Sequence, residues 1–100
     1  MMSIRSEVQQ LVDRGPFPDS DDADEHDIDR RGVLLTAIKR PVTHEEAVAL
    51  LTCFGPDDAF GLAFTLLHLI ETIPGGVLIA TKPQPSDNEW IRLLWHRSHR

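Results

Sequence analysis

Residues 54–76 read FGPDDAFGLAFTLLHLIETIPGG, and between Ala59 and Ile70 only Thr65 and His68 carry polar side chains. Asp57 or Asp58 after Pro56 supplies a helix cap, and Pro74, Gly75 and Gly76 supply a stop. The spacing therefore predicts a helix over residues 57–73, about 17 residues or about 25 Å long. On a wheel at about 100° per residue, Asp58, Gly61, Thr65, His68 and Thr72 share an arc of about 80°. Phe60, Leu62, Ala63, Phe64, Leu66, Leu67, Leu69, Ile70 and Ile73 occupy most of the rest. A polar side this narrow belongs to a central helix wrapped by others. A membrane span is the competing reading, but it places Glu71 and a Pro-Gly-Gly breaker inside the roughly 20 apolar residues that a span needs.

The flanking segments supply the wrapping helices. Ser3 can cap a first helix with Ile4, Val8, Leu11 and Val12 at helical spacing, stopped by Gly15 and Pro16. A second opens in the Asp-rich stretch, buries Ile28, Leu34, Leu35 and Ile38, and ends with Lys39 and Arg40 before Pro41. Thr43 and Glu46 form a capping box for a third, with Ala47, Val48, Leu50, Leu51 and Phe54 inward and Gly55 at its end. Ser86 and Glu89 form a second box, launching a last helix with Trp90, Ile91, Leu94 and Trp95 on one face; residues 96–100 follow as a frayed basic tail. Residues 77–80, Val-Leu-Ile-Ala, read as a short extended segment. The fold class is all-α: one compact domain over residues 1–100, of about five helices around the apolar one.

At 100 residues and 41% apolar composition, such a domain holds one modest core. The lone Cys53 forms no internal disulfide, and no stretch near the N-terminus reads as a secretory leader, so a reducing cytoplasm is expected. Arg outnumbers Lys eight to two and Asp outnumbers Asn ten to one, a bias of GC-rich bacterial coding.

The net charge of −6 argues against nucleic acid, whose backbone is bound by clustered Lys and Arg. Residues 13–29 carry eight carboxylates against Arg14, a local charge of −7, whereas residues 30–42 carry +4. The acidic stretch over residues 19–27 reads as a flexible loop or a solvated helix start. Asp19, Asp21, Asp22, Asp24, Glu25 and Asp27 are its candidate contacts to a partner, with Trp90 and Trp95 as candidate apolar anchors.

No motif in the chain completes a catalytic or metal site. The run from His44 to Val48 begins like HExxH, but Val48 stands where the second metal-binding imidazole belongs. No start within the Asp run gives the Gly and Glu of an EF-hand loop. His68 and Glu71 lie at helical contact spacing, and a carboxylate beside an imidazole orients a general base, yet no nucleophile or cofactor motif accompanies them. Gly61, Thr65, His68 and Thr72 form a candidate polar groove, with Gly61 read as an interior helix position.

The expected function is therefore a small acidic protein-binding module, without metal or cofactor and contacting neither membrane nor nucleic acid. Its expected role is that of an immunity or antitoxin-like inhibitor or regulator that docks on a basic protein surface. One alternative is an accessory subunit or homodimer that pairs apolar faces by self-association; another is a small enzyme using His68 and Glu71.

Overall fold

In a computed structural model describing residues 4–75 and 82–98, the chain forms five α-helices: α1 (Ser6–Asp13), α2 (Glu25–Ala37), α3 (His44–Leu50), α4 (Leu62–Ile70) and α5 (Glu89–Ser98). A single 3-10 turn, Leu51–Cys53, continues α3. No strand occurs among the described residues, and residues 77–80, read as extended, lie outside them. The predicted all-α class holds.

The apolar helix is central, as its composition requires. α4 packs against α2, α3 and α5, while α1 packs against α2 and α3. Ala63, Leu66, Leu67, Leu69 and Ile70 of α4 are buried with Val8, Leu11, Leu34, Leu35, Leu50 and Leu94 from the other helices. The radius of gyration, 13.0 Å, is that expected of a folded chain of about 100 residues.

Polar contacts set the ends of these helices. Asp24 Oδ1 accepts from the His26 amide 2.9 Å away, capping α2, whose first turn carries Glu25 and Asp27 at the positive end of the helix dipole. The predicted capping box of Thr43 and Glu46 is present at α3. Glu46 does more, because its carboxylate also accepts from the Arg5 amide and guanidinium, tying the start of α1 to the start of α3. Arg31 is buried on α2; its Nη atoms donate to the carbonyls of Gly15 and Arg14, which follow α1. Its Nε donates to Asp27, and its guanidinium lies over the ring of Phe17.

Several boundaries differ from the sequence reading: α2 ends at Ala37, so Lys39 and Arg40 lie beyond it, and the central helix ends at Ile70 instead of residue 73. The central helix begins at Leu62 instead of residue 57, because Ala59, Phe60 and Gly61 all have positive φ, 47°, 58° and 90°. Gly61 is thus the left-handed residue before the helix and not an interior one. At the other end of the chain, α5 is capped by Asn88, whose Oδ1 accepts from the Trp90 amide, and not by Ser86. The expected frayed tail is helical through Ser98, and Arg97 pairs with Glu71 through two bonds of 2.6 and 2.9 Å.

At Gly55 two backbone segments cross closely. A Cβ built there collides with the carbonyl oxygen of Phe17, while the Phe17 amide donates to the Cys53 carbonyl and Asn88 Nδ2 donates to the Gly55 carbonyl. Only glycine lets these segments pass so closely.

Candidate protein-binding face

The acidic stretch divides by what its carboxylates hold. Asp19 accepts from the Asp21 amide, and Asp24 caps α2. Asp27 bridges Arg14 and Arg31 at 2.7 Å each. Burial pushes the Asp27 carboxyl up, but Arg31 and Arg14 outweigh it and hold the group below the usual carboxylate range. These acids serve the fold. The side chains of Asp21, Asp22, Glu25 and Asp29 are exposed and accept no hydrogen bond among the described residues. Of the predicted contacts, Asp21, Asp22 and Glu25 are therefore free for a partner, whereas Asp27 is committed to its arginines.

Apolar side chains are exposed as well, among them Phe60 and Phe64 of the run that the wheel reads as wrapped and Val48, which the spacing reads as inward. Phe60 is 66% exposed, Val33 58% and Phe64 47%. Phe60 faces solvent because of its turn. Asp57 Oδ1 accepts from the Ala59 amide, and its carboxylate also takes the Ser20 amide and hydroxyl, which keeps the group ionised below its ordinary range. The Asp58 carbonyl accepts from the amides of Gly61 and Ala63, and the Asp57 carbonyl accepts from the Trp90 indole. So many bonds hold Ala59 and Phe60 in the left-handed region, which costs a non-glycine residue about 1–2 kcal/mol.

Two adjoining depressions run along α2 beside this turn. Ala23, Glu25, Ile28 and Phe60 line one of about 220 Å³; Ile28, Asp29, Gly32, Val33, Thr36, Ala37 and Leu62 line one of about 590 Å³. Ile28 belongs to both. Among the described residues, each is lined by one carboxylate, Glu25 in the smaller and Asp29 in the larger, and by no cationic side chain.

The remaining candidates fall elsewhere. Trp90 is buried, stacked on Phe54 and met edge-on by Phe64 at 4.8 Å, so it serves the core. Trp95 is half-buried with cationic neighbours, in a depression lined by Lys82, Arg92 and His96 among others. Thr65 and His68 are exposed on α4, as the wheel predicts. Thr72 accepts from the Val42 amide and donates to the Leu69 carbonyl, a structural use. Gly61 precedes α4 and Thr72 follows it, so of the expected groove only Thr65 and His68 lie on the helix, with the Thr65 hydroxyl donating to the Gly61 carbonyl.

The chemistry of an enzyme gains no support from His68 and Glu71, since both oxygens of the Glu71 carboxylate are held by Arg97. Burial pushes the Cys53 thiol up to about 11, far from a nucleophile's range. No group of three or more His, Cys, Asp or Glu side chains able to hold a metal ion occurs among the described residues. Likewise, no helix among them is long and apolar enough to cross a membrane.

Composition and wheel position do not reveal a left-handed turn, so the exposure of Phe60 is not legible from them. The run Asp57-Asp58-Ala59-Phe60-Gly61 held the signal: an Asp that caps two residues on, followed by a Gly suited to positive φ. Compared with protein-family models, curated proteins and solved structures, the chain matches none.

Proposed function

We propose that this chain is a protein-binding module that docks its acidic face on a basic surface of a larger protein, acting as an immunity or antitoxin-like inhibitor or regulator. The observation that carries the reading is the division among its carboxylates. Asp24, Asp27, Glu46 and Asp57 hold the fold together, while Asp21, Asp22, Glu25 and Asp29 form an exposed anionic group with no structural bond among the described residues. Concentrated like charge at one end of α2 raises local potential, speeds encounter with a basic partner and selects against acidic ones. The engagement of Glu71 by Arg97 weighs against the enzymatic alternative. The net charge of −6 weighs against self-association, because copies meeting through this face repel.

The test is the salt dependence of binding. The partner is isolated with the full chain from the cells that make it, and its affinity is then measured over a salt series with purified components. Affinity that falls steadily as salt rises supports the reading. A partner bound equally well at low and moderate salt contradicts it.

A further inference from the structure

We infer that the groove between α2 and the turn at residues 59–62 seats a basic amphipathic helix contributed by the partner. The inference rests on the protein-binding reading above and names what meets the acidic face. From Glu25 to Ala37 the groove follows α2 for about 18 Å, the length of about three helical turns. Its lining is largely apolar, through Ala23, Ile28, Val33, Ala37, Phe60 and Leu62. An amphipathic helix laid in such a groove buries residues at i, i+3 or i+4 and i+7.

Charge selects the occupant. Glu25 and Asp29 stand one in each depression, where a helix bearing Lys or Arg beside its apolar stripe places cations against them. A second copy of this chain is a poor occupant, since pairing through the groove brings two acidic rims into one interface. Two further features fit a docked helix. Phe60 projects from a turn braced by Asp57, so the anchor is fixed before the partner arrives. Gly32 lies on the lining of the groove inside α2, and among the described residues a Cβ there meets only Leu62 Cδ2, at an ordinary contact distance of 3.7 Å. The fold therefore has room for alanine at residue 32, and the absent methyl leaves depth that a partner side chain can use.

The experiment screens a display library of helical peptides, unbiased in charge, against the full chain, and then measures the enriched peptides by calorimetry against variants. The expected peptides carry Leu, Ile, Met or Phe at helical spacing with Lys or Arg alongside. Their affinity falls about tenfold or more in Phe60→Ala, as for an interface anchor, and also falls in Gly32→Ala. Gly32→Ala should unfold at or above the wild-type temperature, because alanine favours a helix interior. Its loss of binding then reports the filled groove and not a damaged fold. Basic peptides that ignore Phe60→Ala and Gly32→Ala but weaken in Asp21→Asn/Asp22→Asn overturn the groove and leave acidic docking in place. Acidic or uncharged binders, or no enriched peptide, overturn both.

Discussion

Arg5 Nε lies 2.9 Å from Glu46 Oε2, joining residues 41 apart in sequence. Glu46 is almost fully buried and uses its other oxygen to accept from the Thr43 amide, so one carboxylate completes the cap of α3 and anchors the start of α1. The Arg5 hydrogen bond holds its pKa down to about 2, against an ordinary value of 4.5, although burial opposes this. Because the folded pKa is the lower one, this contribution to stability is complete above about pH 4.5 and is lost as pH falls towards 2. Glu46→Gln should destabilise by about 1–3 kcal/mol at neutral pH, a figure reduced by the partial exposure of Arg5. In urea unfolding the two proteins should converge near pH 2; a constant gap from pH 7 down to 2 contradicts this assignment.

Asp27 should behave unlike its neighbours in the acidic stretch. Asp27→Asn removes the anionic partner of buried Arg31, whose other donors are fixed on the Arg14 and Gly15 carbonyls, and should cost about 1–3 kcal/mol. Asp21→Asn should stay within about 0.5 kcal/mol of wild type. Equal effects in thermal unfolding would show that the carboxylates are not divided as described.

Two glycines test two kinds of constraint. Gly55→Ala drives a methyl into the Phe17 carbonyl and should cost about 3 kcal/mol or more. Gly61→Ala meets nothing within 4 Å but takes on a left-handed conformation, costing about 1–2 kcal/mol. Chemical denaturation that ranks Gly61→Ala as the more damaging would contradict the geometry of both turns.

Leu67 is fully buried in α4 at the centre of the bundle. Leu67→Ala should cost about 2–5 kcal/mol, as large-to-small core changes do. A loss under about 0.5 kcal/mol in the same measurement would make α4 a peripheral helix.

The sequence made the all-α class legible because each helix carries its own signals. The Thr43 and Glu46 box needs only local spacing, and the near-continuous apolar run of α4 forces it inside. What stayed hidden depends on distant residues. Nothing near Glu46 announces Arg5, and nothing near Asp27 announces that Arg31 also reaches the end of α1. The exposure of Phe60 arises from Asp57 bonding to both Ser20 and Ala59, a tertiary arrangement that overrides a helical pattern in the sequence. The acidic front was legible as charge, but which carboxylates are free became clear only from the folded chain.

The central claim is that the free carboxylates bind a partner while the tied ones hold the fold. It is tested by measuring, in one combined variant, Asp21→Asn/Asp22→Asn/Glu25→Gln/Asp29→Asn, both the unfolding temperature and the affinity for the isolated partner at low and high salt. The predicted result is an unfolding temperature at or above wild type, an affinity about tenfold or more weaker at low salt, and a gap that closes as salt rises. Unchanged affinity at low salt, or a variant that fails to fold, would contradict the claim.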